Sequence, residues 1–505
     1  MSSFYPLLTL LCLSAVHLAS QACTQAASEP AINAQTGKQE ISLGNCAGAG
    51  KAWYSQFDSS VSQATFYPDT NANYWVTGLP SLKGQHAHWE VRGQMPDARF
   101  SSLQTYTLRG ERMGVLVDED YGTDPASVNW IRQSGRYVNA AAHQYKATLR
   151  QVKSDVTLPR GELPISDEAL SGASVPVALL AYRVYSNLKP NGSAVPADLK
   201  AANWIARGQV DLPEIVYVVD DVAQPHFTSS EQIFMLAKGA APLAKLLGGI
   251  EAIADAAAPV LALIKNLPAP LWSDPVRWQA NAGLRTNLRG MINATEAPIA
   301  ATLWQATLNK LPNFSGFDNA ATRYFVGGVQ PARGQVLVTR FKAPTVADPD
   351  RGEAMLPAAD SARQVRYWSI CLNNTLSLYV TGCIRDTAVK TDANGDVTLV
   401  LSSGTAAPIG PNGQPAANWL KHASPNELLL IRYMWASAGF AESPTAYKGN
   451  ADDMAALAAW SKSYYPVSTY CSLNNYRYNA CARVFTRQQE RLYQLNPSLL
   501  ATLLH

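Results

Sequence analysis

Apolar positions in this chain recur mostly at strand spacing. Short runs of β-branched, aromatic and Leu residues are separated by Gly, Pro, Asn and Asp, the strand-and-turn pattern of a sandwich. The pattern predicts strands over Gln144–Val152, Val177–Tyr185, Glu214–Val219, Gln335–Phe341, Val397–Ser402 and Leu428–Trp435. From about Ser230 to Leu311 the chain becomes rich in Ala and Leu at helical spacing, with Pro242, Pro259 and Pro298 at expected helix ends. A tail from Ser443 to Leu504 mixes signals, with helices expected over Asp452–Ser463 and Thr486–Leu495.

The strand-rich stretches repeat at an offset of 250 residues. Tyr74-Trp75-Val76-Thr77-Gly78 matches Tyr324-Phe325-Val326-Gly327-Gly328, and Gly84-Gln85 matches Gly334-Gln335. Further on, after a Pro/Asp-rich insertion near Ala343–Asp360 that lengthens the second copy, Arg99-Phe100-Ser101-Ser102-Leu103 matches Arg366-Tyr367-Trp368-Ser369-Ile370, and Asn129-Trp130 is set against Asn418-Trp419, where the spacing has drifted. Several matches in one order point to a duplication. The expected architecture is therefore mainly β: two β-sandwich or jelly-roll-like domains, residues 47–229 and 313–442, with a helical insert at 230–312 and a disulfide-bearing tail at 443–505.

The Arg-aromatic-Ser segments at Arg99–Leu103 and Arg366–Ile370 resemble a motif of secreted bacterial proteins of unknown function with tandem jelly-roll-like domains. Asn394-Gly395-Asp396-Val397-Thr398-Leu399, then Asn418-Trp419-Leu420 and Leu428–Tyr433, are similar to the end of that family's C-terminal domain. The resemblance implies a fold and brings no catalytic residues.

The first residues change the picture from fold to compartment. An apolar run from Leu7 to Val16 followed by Ser20-Gln21-Ala22 reads as a signal peptide over residues 1–22, although no Lys or Arg precedes the run. Residues 23–46 form an N-terminal segment ahead of the first domain. No later stretch is long and apolar enough for a spanning helix. Cys23, directly after the expected cleavage point, could carry lipid, but Ser20 stands where such signals favour Leu. Cleavage would leave six of the seven cysteines. Their spacing suggests the pairs Cys23–Cys46, Cys371–Cys383 and Cys471–Cys481, in preference to thiolate metal binding, because no C-x-x-C occurs. A secreted or periplasmic protein follows.

Hydrophobic residues make up 47% and charged ones 16%, which favours a packed core over disorder. With a net charge of +3 and no long basic run, nucleic acid is a poor partner.

Candidate chemistry centres on Gly84–Glu90. In a strand, His86, His88 and Glu90 share one face, and two imidazoles with a carboxylate suit a divalent transition metal. Spaced about 6.6 Å apart along the strand, the three cannot all reach one ion easily, and a fourth ligand, His143 or His226, would have to come from elsewhere. The repeat sets Val336, Val338 and Arg340 against them at the same offset. Two histidines at a half-buried surface are otherwise ordinary hydrogen-bonding groups. Calcium is suggested by Asp118-Glu119-Asp120 with Asp124, and by Asp348, Asp350 and Glu353, although acidic runs are commonly solvated loops. Asp392-Ala393-Asn394-Gly395-Asp396 opens like a calcium loop but lacks the closing Glu, and its Asn-Gly favours a hairpin turn. No nucleophile elbow, H-E-x-x-H or P-loop occurs. The many Trp and Tyr residues suit stacking on sugar rings or apolar ligands, or simply a core. The leading expectation is an exported protein binding an apolar or carbohydrate ligand. Its alternatives are a metal-dependent hydrolase or lyase using His86, His88 and Glu90, and a surface interaction protein.

Overall fold

The computed structural model describes residues between 53 and 223, between 276 and 281, and between 319 and 481, with short gaps. The signal peptide, Cys23, Cys46, His86, Asp124, His226, most of the helical insert and the helix expected at Thr486–Leu495 lie outside the described residues. The fold is mainly β, and the chain divides into two compact units. Unit 1 comprises Met1–Ala64, Asn71–Ala252 and Ala347–Pro357, and unit 2 comprises Thr65–Thr70, Ile253–Val346 and Ala358–His505.

Unit 1 contains β1 (Tyr54–Asp58), β2 (Ala72–Pro80), β3 (His88–Gln94), β4 (Ala98–Thr107), β5 (Arg112–Val117) and the two-residue β6 (Gly122–Thr123). These are followed by β7 (Gln144–Val152), β8 (Glu162–Ser166), β9 (Val177–Asn187), helix α1 (Ala201–Ala206), β10 (Glu214–Val219) and β11 (Val222–Ala223). One sheet has the order β1-β2-β9-β4-β5, the other β11-β10-β3-β7-β6 with β8 on β7. Trp75, Leu103, Leu180 and Tyr182 of the first sheet and Trp89, Val91, Ala147 and Leu149 of the second share one core.

Unit 2 contains β12 (Gln279–Asn281), β13 (Thr322–Val329), β14 (Gln335–Lys342), β15 (Val365–Asn374), β16 (Val380–Arg385), β17 (Asp396–Ser402), β18 (Asn418–Lys421) and β19 (Glu427–Ala436). Helix α2 (Met454–Ser461), β20 (Val467–Ser472) and helix α3 (Leu473–Arg477) complete it. Its sheets have the orders β12-β13-β19-β15-β16 and β18-β17-β14-β20. With β6 and β11 set aside, each strand of unit 1 has a counterpart in unit 2 with the same neighbours. Even the parallel pair recurs, as β7 with β8 and β17 with β18.

Hydrogen-bond register refines the repeat. Tyr74 faces Arg183 and Tyr324 faces Arg432, while Ser102 and Ser369 face the same two arginines from the other side. Both long matches thus fall on equivalent positions. Farther along, Leu149 pairs with Trp89 and Leu163, as Leu401 pairs with Leu337 and Leu420. Those ladders set His88 and Glu90 against Val336 and Val338, two residues from the expected alignment, and Arg92 against Arg340. The Asn-Trp match is not structural. Asn129 precedes a 3-10 turn, where its side chain bonds the backbone of Asp118 and Ile131, whereas Asn418 opens β18.

Two elements arise where the sequence suggests something else. β12 falls inside the span expected to be helical and pairs with β13. β20 falls inside the expected tail, yet it pairs with β14 along six positions as a full member of the second sheet. The segment before β12 also explains a difference between the copies. Thr77 of β2 corresponds to Gly327 of β13, where a Cβ would lie 2.7 Å from Val276 and 3.3 Å from the Trp278 ring. Gly327→Thr, which imports the first copy's residue, is expected to lower stability by about 1–3 kcal/mol through overpacking, measured by urea unfolding.

The two disulfides expected in this region are present: Cys371–Cys383 joins directly opposed positions of β15 and β16, and Cys471–Cys481 ties β20 to the residues after α3. Among the described residues no helix is long and apolar enough to cross a membrane.

Candidate functional site

His88 and Glu90 share one face of β3, as the alternation of a strand requires, and both are buried. His88 Nε2 lies 3.4 Å from Glu90 Oε1. The carboxylate, however, is already held by two cations: Arg92 donates to Oε2 through Nε at 2.7 Å, and Lys146 Nζ sits 3.2 Å from Oε1. Burial pushes the Glu90 pKa up, but the hydrogen bonds and charges of Arg92 and Lys146 outweigh it and hold the group below its ordinary range. Both carboxylate oxygens are thus engaged by protein cations. His143, the other described candidate ligand, uses Nδ1 on the Val128 carbonyl at 3.0 Å.

The lowered pKa has a consequence for stability. Glu90 stays charged in the folded state below its unfolded value of about 4.3, so its contribution is complete above that value and fades as pH falls through the folded pKa. Glu90→Gln is expected to be less stable than the natural chain at pH 7, with a gap that narrows in unfolding curves taken below about pH 4.

The acidic stretches are occupied by protein groups. Asp118 accepts from the Ser101 amide at 2.7 Å, Asp120 from Arg160 at 2.8 Å, and the Glu119 carbonyl from Arg132 at 2.6 Å. Asp348 pairs with Arg351 at 3.3 Å, and Glu353 accepts from the Asp348 amide at 2.8 Å. Asp392 Oδ1 accepts from the amides of Asn394 and Asp396 at 2.9 and 3.0 Å, around Gly395 at φ +80°. That is a turn closed by its own carboxylate, with Gly at the left-handed position.

The polar centres that sequence reasoning missed are the two duplicated arginines. Arg183 and Arg432 occupy the central strand of each five-stranded sheet, on the face opposite the apolar core, and both are buried. Each guanidinium lies against the equivalent tyrosine, Tyr74 at 6.0 Å and Tyr324 at 5.3 Å from the ring centre. Their hydrogen-bond partners differ. Arg183 donates to Gln104 and Tyr106, neutral groups. Arg432 donates to Asp69, whose Oδ2 also accepts from Ser369 at 2.5 Å and Tyr367 at 2.8 Å. Asp69 belongs to the Thr65–Thr70 segment, far from Arg432 in sequence, so only the match of Arg-flanked Ser residues hinted at this cluster.

At the surface of unit 2, α2 carries a partly exposed aromatic pair. Asp453 caps the helix by accepting from the Ala456 amide at 3.0 Å. Near its end Trp460 is 40% exposed, and the half-buried Tyr447 meets it edge to face with ring centres 5.9 Å apart. Tyr447 donates to the Asn450 carbonyl at 3.1 Å, and its ring lies where a side chain at Gly449 would be. Lys462 and Glu442 form an ion pair at 3.0 Å beyond the helix end. Seven described tryptophans, Trp53, Trp75, Trp89, Trp130, Trp204, Trp278 and Trp368, are each 9% exposed or less, so the placement of Trp460 is not this chain's habit.

No family model matches the chain, and no curated protein does. Among solved structures it is similar to a putative uncharacterized protein from Burkholderia cenocepacia, with 13% identity over 82% of this chain and 81% of that one and a TM-score of 0.40. It is also similar to the VPA0106 protein from Vibrio parahaemolyticus, with 12% identity over 80% and 90% and a TM-score of 0.32.

Proposed function

We propose that this is an exported carbohydrate-binding protein whose ligand stacks on Trp460 and Tyr447. The observation that carries this reading is the exposed Trp460 with Tyr447 set against it, in a chain that buries most of its other described tryptophans. Aromatic faces receive the apolar face of a sugar ring, and neighbouring polar groups receive its hydroxyls. Asn450, Lys462 and Glu442 provide such groups close to α2 in the chain. Two disulfides support export, because such bonds persist in oxidising compartments. The metal-dependent enzyme is less favoured, since Arg92 and Lys146 occupy the carboxylate it would need.

Affinity electrophoresis through gels containing soluble polysaccharides tests the reading. At least one polysaccharide is expected to retard the protein, and Trp460→Ala is expected to weaken that binding about 30-fold, the effect of losing a central aromatic anchor. Absence of retardation by any polysaccharide, or equal retardation of the variant, would count against it.

A further inference from the structure

Among the described residues, one set of three His, Cys, Asp or Glu ligand atoms lies mutually within 4.8 Å: Asp69, Cys371 and Cys383. Both sulfurs are spent in a disulfide, and Asp69 is engaged by Arg432. We propose that reducing Cys371–Cys383 turns this corner of unit 2 into a binding site for a soft divalent metal ion of the zinc type, held by two thiolates and the Asp69 carboxylate.

The geometry suits such an ion. Tetrahedral zinc with Zn–S bonds near 2.3 Å separates two sulfurs by about 3.8 Å. Cys371 and Cys383 are directly opposed in the β15–β16 ladder, so the strands need little movement to accept that spacing. A carboxylate oxygen within 4.8 Å of both sulfurs supplies the third ligand and leaves a fourth position for water. Charge also balances. The two positive charges of the ion are met by two thiolates, and Asp69 remains matched by Arg432, so the buried cluster carries no net charge. Arg432 Nη1 lies 3.8 Å from Cys371 Sγ and favours the thiolate before the ion arrives. Cys371 is buried, but Cys383 is partly exposed on β16, an edge strand, which gives reductant and metal an approach. The first copy has Gln104 where the second has Cys371, so this site belongs to unit 2 alone.

A dithiol reductant gives two electrons and two protons to the disulfide and closes to its own disulfide, leaving two thiols. Metal binding then releases the two thiol protons.

The test uses the full chain, a phosphine and Cd2+. The phosphine takes the oxygen of water as each sulfur gains a proton, and it adds no competing thiol. Cadmium–thiolate absorption is then titrated in the natural chain and in Cys371→Ser/Cys383→Ser, which keeps the other cysteines as background. The proposal expects one more Cd2+ per reduced chain than in the double variant, no such difference before reduction, and affinity lowered about tenfold or more in Asp69→Asn. Equal uptake by the two proteins overturns it, as does failure of the phosphine to free Cys371 and Cys383 in the folded chain. Unchanged affinity in Asp69→Asn overturns the three-ligand site. None of these outcomes depends on carbohydrate binding.

Discussion

Arg432→Met is expected to destabilise the protein by about 3–5 kcal/mol, because it removes the guanidinium that donates to the buried Asp69 carboxylate. Asp69 is fully buried, and the Tyr367 and Ser369 hydroxyls that would remain hydrogen-bond it without neutralising it. Arg183→Met is the matched control in the first copy. It removes an equally buried guanidinium, but the partners left behind, Gln104 and Tyr106, are neutral, so about 1–3 kcal/mol is expected. Burial opposes the Arg183 charge, yet the Tyr106 and Tyr185 phenols and the Tyr106 hydrogen bond hold its pKa above the ordinary value. Chemical unfolding of both variants separates the two cases, and equal losses would show that Asp69 is not the cause of the difference. Asp69→Leu combined with Arg432→Met should recover a large part of the first loss, since the penalty lies in the buried carboxylate that has lost its guanidinium.

Trp278→Ala carries the second large effect, about 3–5 kcal/mol. Its side chain has no exposed surface, and its indole donates to Ser468 of β20 at 3.0 Å. Ser468 Oγ in turn lies 2.8 Å from Thr339 of β14. The substitution thus opens a cavity and removes one partner from a buried polar chain. Trp278→Phe should keep much of the packing and lose only the indole hydrogen bond. Thermal unfolding of the two variants therefore distinguishes volume from bonding. If both melt like the natural chain, the segment before β12 is not part of the core of unit 2.

Strands built from local alternation were legible in the sequence. Gln144–Val152 and Glu214–Val219 are strands with those bounds, and Val177–Tyr185 and Leu428–Trp435 lie within β9 and β19. The helix expected at Asp452–Ser463 contains α2. β12 was not legible, because three residues carry no periodicity and their strand character comes from pairing with β13. β20 was hidden among helical signals, and its place was decided by β14, more than a hundred residues away. The site residues divide in the same way. His88 and Glu90 share a face because of a local two-residue period, but the meaning of that face depends on Lys146 from the neighbouring strand.

The sequence by itself determined the mainly β class and pointed to the pairing of Cys371 with Cys383 and Cys471 with Cys481, because each depends on residues close together in the chain. Tertiary structure alone decided what the duplicated arginines do. Arg183 and Arg432 stand at the same place in two copies of one sheet. One donates to the neutral Gln104 and Tyr106, while the other receives a carboxylate 363 positions away. No local pattern encodes a contact of that span, because it exists only once folding has removed both groups from water and made their mutual attraction strong.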